Sequence, residues 1–313
     1  MNDMIYLFTG YASEYSLRPL EKYMREKGYH TIELDFSNNR DANEILNKLK
    51  GKDIVHITSW HFFLHKDYMV NYGYEQPDAQ IYSPLEIMEY LRPKKSFFYP
   101  HDLGVFFHPI ETKWLDLFDA VLLPYKNNEY YLASSFTDVI EVGWIYKRKL
   151  VKPRANVADI RILYMPSNLS YMLKHFDSYK ETYQPLFDLG IDIKPFCYGG
   201  IERLVDVWRN EKNVNLLNMD LKLFDIIDDY DIIVSHNESS VTYESSLSGK
   251  ATVALQDNAD RAAIIPEFAN LKKLGIKEAA DYLAAIREGK EQYVTAADRL
   301  KPCDFETVLK ILD

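Results

Sequence analysis

The chain has 313 residues, of which 47% are hydrophobic and 27% are charged. This length suffices for two ordinary domains, and the composition is typical of a soluble globular protein. The formal net charge of -10 argues against broad nucleic-acid binding, because that function needs a basic face.

The sequence also predicts the cellular location of the protein. No apolar run approaches the roughly 20 residues that span a bilayer. The stretch 1–10 lacks the basic start and apolar core of a signal peptide. Its two cysteines make no disulfide framework. We therefore expect a cytoplasmic protein with reduced thiols, at most peripheral to the inner face of the membrane.

Strands and helices alternate along the first half of the chain. The predicted strands are 4–9, 30–36, 53–58, 96–99, 119–123 and 139–142. The predicted helices are 14–27, 42–49, 85–91 and 128–135. Segment 62–82 is a loop longer than most, and such loops are often functional.

A basic segment, 147–159, has little apolar pattern and is predicted to be a linker. A second alternating series follows it. Its predicted strands are 160–164, 192–196, 214–217, 231–234 and 251–255. Its predicted helices are 169–189, 201–209, 221–227, 239–248, 278–290 and 304–312.

Alternation of this kind predicts an α/β fold of two Rossmann-like domains, each with a parallel sheet, facing each other across a cleft. The predicted domains are 1–152 and 153–313. Ligands of such sheets bind beyond the carboxyl ends of the strands. The polar segments expected there are 59–61, 101–102, 167–168, 198–200 and 235–240. The candidate ligand-binding residues of the second domain are Ser167, Asn168, Tyr198, Gly199, His236, Ser239, Ser240 and Glu244.

The stretch 231–256 carries the sharpest signal among these segments. A buried strand is followed by a polar loop, and Ser239 and Ser240 then open a short helix. A helix N-terminus attracts an anion, so a phosphate could bind at the serines while Glu244 holds a sugar hydroxyl. Gly249 is expected to end the helix in a left-handed conformation. The alternative is an ordinary βαβ unit with a serine cap.

His101 and Asp102 are the candidate catalytic pair. A histidine on the ligand side of a sheet can titrate near neutral pH, and a nearby carboxylate can raise its basicity. Adjacent residues of an extended backbone point to opposite sides, so a structural role for His101 stays open. The dinucleotide, P-loop, hydrolase and zinc-protease motifs are absent, and the scattered histidines predict no metal site.

Together these features resemble the GT-B superfamily of nucleotide-dependent glycosyltransferases, and most of all its CDP-glycerol glycerophosphotransferase-like branch. The segments that carry the resemblance are 239–244, 249–251, 162–168, 99–104 and 142–144. The chain departs from that branch at two places. Lys194, Pro195 and Phe196 stand where the branch has a Lys-x-His-Pro motif, and Ala251 replaces a proline.

The resemblance implies that domain 1–152 lies on the acceptor side and that domain 153–313, with the candidate residues given above, binds the nucleotide. Ser239 and Ser240 would hold the diphosphate, Glu244 would hold the ribose and His101 would deprotonate the acceptor. It also implies chemistry without a metal or other cofactor, in which positive side chains and a helix dipole stabilise the leaving diphosphate. Arg261 is a candidate for such charge.

The leading hypothesis is a glycosyltransferase that moves a sugar from a nucleotide-activated donor to a glycan or lipid-linked acceptor in cell-envelope synthesis. The alternatives are a polyol-phosphate transferase, a UDP-sugar 2-epimerase and a non-catalytic nucleotide-sugar-binding homologue. An epimerase needs several converging carboxyl groups, for which the candidates are Asp102, Glu238 and Glu244.

Overall fold

Two parallel six-stranded sheets organise the protein. The computed structural model describes residues 4–10, 17–35, 42–59, 84–100, 113–126, 137–145, 160–167, 169–196, 201–237, 239–256 and 268–313. The chain divides into two units. Unit 1 comprises Met1–Lys147 and Lys301–Asp313, and unit 2 comprises Arg148–Leu300. The predicted α/β fold with two Rossmann-like domains is confirmed.

Unit 1 contains the first sheet. Its strands are β1 (Ile5–Gly10), β2 (His30–Asp35), β3 (Ile54–Thr58), β4 (Lys95–Phe98), β5 (Ala120–Leu123) and β6 (Asp138–Glu141). They lie in the order β2-β1-β3-β4-β5-β6. The helices are α1 (Arg18–Glu26), α2 (Ala42–Leu49) and α3 (Pro84–Leu91), with a 3₁₀ helix at Lys113–Leu117.

The central strands of this sheet are buried on both faces. Every residue of β3 and β5 is buried, as expected for continuous apolar strands in a parallel sheet. One face packs Ile5, Leu7 and Ile54 against apolar side chains of α2 and α3.

The last segment of the chain belongs to unit 1, whereas the sequence assigned it to the second domain. Trp144 pairs with Pro302, and its backbone N–H donates to the carbonyl of Lys301 at 2.8 Å. Gly143 permits this approach, because a Cβ there would lie 2.6 Å from the Pro302 carbonyl oxygen. Helix α10 (Phe305–Leu312) follows, and Lys27 pairs with Glu306 at 2.8 Å.

Unit 2 contains the second sheet. Its strands are β7 (Ile162–Met165), β8 (Asp192–Ile193), β9 (Asn215–Leu216), β10 (Ile232–His236), β11 (Ala251–Leu255) and β12 (Leu271–Leu274). They lie in the order β12-β11-β10-β7-β8-β9. The helices are α4 (Leu169–Lys174), α5 (Phe176–Phe187), α6 (Glu202–Asn210), α7 (Leu223–Ile226), α8 (Ser240–Leu247) and α9 (Ile276–Arg287).

The largest described core lies on one face of this sheet. It joins side chains of β7, β10 and β11 to those of α5, α6 and α9, and Tyr164 and Trp208 are its largest fully buried members. None of the buried apolar residues of α8 belongs to this core. Helix α8, which contacts β10 and β11, therefore covers the opposite face of the sheet.

Unit 2 differs from its predicted elements in three respects. The helix expected over 169–189 is divided by a turn at His175 into α4 and α5. Strand β8 ends at Ile193, three residues before its predicted end. Strand β12 was not predicted at all. The predicted helix 128–135, the linker 147–159 and the loop 62–82 lie outside the described residues.

Candidate active site

The candidate site lies where the strand order of unit 2 reverses. Strand β7 is the first of its sheet along the chain, and it lies between β8 and β10. Ligands of doubly wound sheets bind at this switch point, beyond the carboxyl ends of the strands. We call that side of the sheet the carboxyl edge. Ser167 follows β7 there, and Asn237, Ser239 and Ser240 follow β10.

The N-terminus of α8 opens at this edge. Ser239 is the N-cap, and its side chain accepts a hydrogen bond from the backbone N–H of Val241 at 3.2 Å. Ser240 is the first helical residue. The positive end of the helix dipole and the backbone N–H groups of the first turn can therefore bind an anion.

Helix α8 is buried from Val241 to Leu247 although five of its eight side chains are polar. A fully buried helix is normally apolar on all sides. Here Thr242 donates to the carbonyl of His236, and Ser246 donates to the carbonyl of Thr242, both at 2.8 Å. These two hydroxyls are satisfied by backbone groups, so they fix α8 in place without needing a ligand.

The C-terminus of α8 is equally well fixed. Gly249 has a φ of +82°, and its N–H donates to the carbonyl of Ser246 at 3.0 Å. The N–H of Lys250 donates to the carbonyl of Ser245 at 3.1 Å. This pair of bonds is the Schellman motif, so the predicted left-handed glycine end is confirmed.

Glu244 lies one helical turn after Ser240, on the same side of α8. Its exposed fraction is 0%. Burying a carboxyl group is costly unless hydrogen bonds or opposite charges compensate it. A buried acid one turn behind an anion-binding helix end is well placed to accept hydrogen bonds from the hydroxyls of a ligand whose phosphate binds at that end.

Three polar atoms of serine and asparagine side chains in this region have no hydrogen-bond partner in the described part of the chain. They are Ser167 Oγ, Asn237 Oδ1 and Ser245 Oγ. Asn237 has an exposed fraction of 8% and Ser245 of 0%. Buried polar groups in native proteins are normally hydrogen-bonded. Their concentration around α8 therefore favours a polar ligand.

His236 was expected in the loop after β10, but it is the last residue of that strand. Its side chain alternates with Ser235, so it shares the core face of the sheet with Val234. Its Nε2 lies 2.9 Å from the hydroxyl of Tyr164, and its ring packs near Tyr183. These contacts give the imidazole a structural role.

The other predicted site residues cannot be placed. His101, Asp102, Asn168, Tyr198 and Gly199 lie outside the described residues. Their roles remain predictions.

Unit 1 has its own switch point, between β1 and β3. His56, in the middle of β3, is fully buried, and its Nε2 lies 2.8 Å from the hydroxyl oxygen of Thr9 on β1. Burial lowers the pKa of His56 to about 3, so the ring is neutral at physiological pH. Ser59, which follows β3, is also buried, and its Oγ has no partner in the described part of the chain.

The described residues contain no group of three or more histidine, cysteine or acidic side chains that could hold a metal ion. Among the same residues, no helix is both long and apolar enough to cross a membrane.

No protein-family model matches the chain, and no curated protein matches its sequence. Solved structures do match it. The UDP-GlcNAc 2-epimerase of Methanocaldococcus jannaschii, in complex with UDP-GlcNAc and UDP, has a TM-score of 0.60 at 12% identity, covering 99% of each chain. A protein of Listeria monocytogenes to which the same epimerase activity is ascribed has a TM-score of 0.51 at 12% identity, covering 98% of this chain and 94% of its own.

The match with Acinetobacter baumannii MurG covers 99% of each chain at 11% identity, with a TM-score of 0.45. At such identities the two matches with TM-scores above 0.5 show the fold alone. The fold is that of GT-B proteins, with two Rossmann-like domains.

Proposed function

We propose that the protein is an enzyme that acts on a nucleotide-activated sugar and binds the nucleotide at the carboxyl edge of unit 2. The observation that carries this proposal is the immobilised helix α8. Its capped N-terminus lies at the switch point, and the buried acid Glu244 lies one turn behind it. The helix N-terminus can bind an anion, and Glu244, one turn away, can bind hydroxyl groups. A nucleotide carries both at such a separation, in its diphosphate and its ribose.

Each part of the nucleotide has a defined place in this proposal. The diphosphate binds to the backbone N–H groups and hydroxyls of Ser239 and Ser240. The carboxylate of Glu244 accepts hydrogen bonds from the ribose hydroxyls, and such charge-assisted bonds are stronger than neutral ones. Ser167 Oγ and Asn237 Oδ1, which have no hydrogen-bond partner in the described residues, supply further polar contacts.

The reaction that we propose is glycosyl transfer to a glycan or lipid-linked acceptor. In this reaction the acceptor oxygen bonds to C1 of the sugar as the bond from C1 to the diphosphate breaks. The acceptor loses its proton to a base, for which His101 with Asp102 remains the predicted pair. The proposed reaction needs no metal, because the dipole of α8 faces the leaving diphosphate.

A second candidate is 2-epimerisation of a UDP-sugar. The two solved structures reported above with TM-scores over 0.5 are those of a UDP-GlcNAc 2-epimerase and a protein ascribed the same activity. An epimerase breaks the same bond to the diphosphate, so the nucleotide site serves both reactions equally. The two candidates differ in whether an acceptor is consumed.

The test is a thermal-unfolding screen with UDP, GDP, CDP and dTDP, followed by product analysis with the corresponding sugar nucleotides. A ligand at 100 times its dissociation constant should stabilise the protein by about 2.7 kcal/mol. Conversion without an acceptor to a sugar inverted at C2 would establish the epimerase, and acceptor-dependent release of nucleoside diphosphate the transferase. CDP-glycerol as the preferred donor would indicate the polyol-phosphate branch.

Two results would separate the remaining alternatives. Tight nucleotide binding without turnover in any assay would indicate a non-catalytic binding protein. If none of the four nucleoside diphosphates stabilises the protein, the proposed function is wrong.

A further inference from the structure

Three consecutive turns give unit 1 a basic surface at the end of the sheet where its strands begin. The turns 27–29, 50–53 and 92–94 lead from α1, α2 and α3 into β2, β3 and β4, at the end opposite the carboxyl ends of the strands. They contain one acidic residue, Asp53. We call this surface the basic edge. Its cationic residues, all with exposed side chains, are Lys27, Lys50, Lys52, Arg92 and Lys94.

Contacts between its elements make the basic edge one continuous surface. Lys94 pairs with Asp53 at 2.6 Å, so the turn before β4 contacts the turn before β3. Lys27 pairs with Glu306 of α10 at 2.8 Å. The acids nearest to these turns are therefore already paired. The cations of the basic edge that have no ion pair in the described part of the chain are Lys50, Lys52 and Arg92.

The same end of the sheet in unit 2 carries the opposite charge. A cation near a helix C-terminus is favourable by itself, because it interacts with the helix dipole. The segments that lead into β8, β9, β10 and β11 also follow helices, yet they contain two cations, Lys212 and Lys250, and five acids. The helix dipole therefore does not account for the basic edge in a chain whose net charge is -10. The five acids of unit 2 are Asp188, Glu211, Asp228, Asp229 and Asp231.

Arg92 stands at a position that favours glycine. A left-handed residue follows each of α1, α2 and α3: Gly28 has a φ of +90°, Gly51 of +76° and Arg92 of +50°. Arg92 is the one described residue other than glycine with a positive φ. Side chains disfavour this conformation, and glycine is the common residue there. A binding function for the charge would explain why an arginine takes this place.

Exposed apolar side chains border the basic edge. In the described part of unit 1, the exposed large hydrophobic residues are Tyr90 and Leu117. Tyr90 lies in the last turn of α3, and the Nζ of Lys50 lies 4.8 Å from its ring centroid. The carbonyl of Leu117 accepts a hydrogen bond from Oγ of Ser96, near the start of β4, at 3.4 Å. Cations beside exposed aromatic and aliphatic side chains are typical of surfaces that bind to a membrane interface.

We propose that the basic edge docks unit 1 on a membrane surface that contains anionic lipids. The unpaired cations lie against the negative headgroups, and Tyr90 and Leu117 contact the boundary between headgroups and acyl chains. The carboxyl ends of the strands then face the aqueous phase, about 20 Å away along the six residues of β1. This inference does not rest on the proposed function, because it uses none of the residues of the candidate nucleotide site.

Sedimentation with lipid vesicles tests the proposal. Vesicles of phosphatidylcholine alone are compared with vesicles that also contain phosphatidylglycerol. The protein should bind the anionic vesicles and not the neutral ones, and added salt should release it. Each Lys or Arg near an anionic surface contributes about fivefold to binding. The variant in which Lys50, Lys52 and Arg92 are all replaced by glutamine should therefore bind about 100-fold more weakly.

The matched control removes three cations from unit 2. Lys212, Lys277 and Lys290 are exposed, and replacing them by glutamine changes the net charge by the same amount. This variant should bind anionic vesicles within about twofold of wild type, because charges beyond a Debye length from the membrane are screened.

Two further variants separate charge, apolar contact and folding. Lys50→Arg, Lys52→Arg and Arg92→Lys together keep the charge and should bind as wild type does. Leu117→Ser should weaken binding several-fold without changing its dependence on salt, because it removes apolar contact alone. If the triple glutamine variant does not fold, Lys52→Gln replaces it and should bind about fivefold more weakly.

Three results would overturn the proposal. If wild type does not bind anionic vesicles, the membrane is not the partner, and an acidic protein becomes the better candidate for this surface. If the triple glutamine variant folds and binds as wild type does, the basic edge is not the docking surface. Equal losses in this variant and the unit 2 control would show that binding follows net charge. Neither triple variant should change nucleoside diphosphate affinity, so the nucleotide screen tests the proposed function separately.

Discussion

The two units build the same kind of sheet but place their polar side chains differently. In unit 1 the buried polar pair, Thr9 and His56, lies within the strands at the switch point and is joined at 2.8 Å. Ser59 follows a strand of unit 1 as well, but in unit 2 the buried side chains that follow the strands include the polar Asn237 and the charged Lys194. A buried acid, Glu244, stands behind them on α8.

This difference indicates which part of a doubly wound unit binds a ligand. Thr9 and His56 contact each other within the sheet, where His56 Nδ1 has no hydrogen-bond partner among the described residues, so this pair lies away from the edge at which ligands bind. Polar groups past the strand ends have fewer backbone partners and meet at one edge. Unit 1 has a buried acid as well, Glu21 in the first turn of α1, but it is paired with Arg25 and accepts a hydrogen bond from Thr31, whereas Glu244 and the buried Lys194 belong to unit 2. We therefore assign the anionic part of the substrate to unit 2.

The largest expected effect on stability comes from replacing Gly249, the glycine that ends α8. Gly249→Ala should destabilise unit 2 by about 3 kcal/mol, because a φ of +82° is strained for alanine and its Cβ would lie 2.3 Å from the Ala296 carbonyl oxygen. Nucleotide binding should weaken with it, since the helix end shifts. Chemical unfolding followed by circular dichroism measures the first effect, and calorimetry measures the second.

Two glycines serve as controls for this prediction. Gly289 has a φ of +71°, and a Cβ there would have no atom within 4 Å, so Gly289→Ala should lower the free energy of unfolding by only about 1 kcal/mol. Gly143→Ala places its Cβ 2.6 Å from the Pro302 carbonyl oxygen, in unit 1, and should destabilise the protein without a direct effect on α8. Equal losses of nucleotide affinity in Gly249→Ala and Gly143→Ala would contradict the assignment of the site to unit 2.

The next effect tests the acid of unit 2. Glu244→Gln keeps the size of the side chain but removes its charge, so nucleotide binding should weaken by about 1.5–3 kcal/mol, or roughly 10- to 100-fold. Titration calorimetry measures this change. Glu211→Gln is the control, since Glu211 is a largely buried acid of unit 2 that pairs with Lys180 at 2.8 Å. A Glu244→Gln protein that folds and binds as wild type does would show that Glu244 is structural.

Much of this comparison could be predicted from the sequence, because apolar runs and turn residues are local signals. Strands β3 and β11 and helix α2 were predicted to within a residue or two, as was the glycine that ends α8. Strand β12 was missed because its two central residues are lysines, Lys272 and Lys273, which an edge strand tolerates and a central strand does not.

Errors at strand ends had the largest consequence for the site. Ending β10 at Val234 placed His236 in the ligand loop, whereas two more residues of pairing direct its ring into the core. Extending β8 to Phe196 hid Lys194 inside a strand, whereas the strand ends one residue before it. Where a parallel strand ends depends on its neighbours, and a local sequence pattern does not contain that information. The burial of Glu244 is likewise a tertiary property.

His56, in the polar pair of unit 1, should make the stability of the protein depend on pH in the acidic range. The pKa of His56 is about 3 in the folded protein, against about 6.5 for an unperturbed histidine. Between these values the unfolded chain binds a proton that the folded chain does not, so stability is full above pH 6.5 and falls as the pH falls towards 3. At pH 5 the loss should be about 2 kcal/mol.

Unfolding by urea at pH 7 and pH 5, in wild type and in His56→Gln, measures this contribution. The variant should lose less stability between the two pH values, even though it also lacks the imidazole contact with Thr9. The same pH dependence in both proteins would show that the acid sensitivity has another source. Nucleotide affinity at pH 7 should be unchanged by His56→Gln.

The smallest effect compares two helix caps. Ser239 caps α8 in unit 2, and Asp304 caps α10 in unit 1, where its side chain accepts hydrogen bonds from the N–H groups of Glu306 and Thr307. Replacing either cap by alanine should cost about 1 kcal/mol of stability. Only Ser239→Ala should also weaken diphosphate binding, because only that helix end lies at the switch point of unit 2. The two variants should lose about the same stability, so Asp304→Ala controls for an effect of stability on binding. If diphosphate affinity falls equally in both variants, the loss follows stability, and Ser239 does not bind the phosphate.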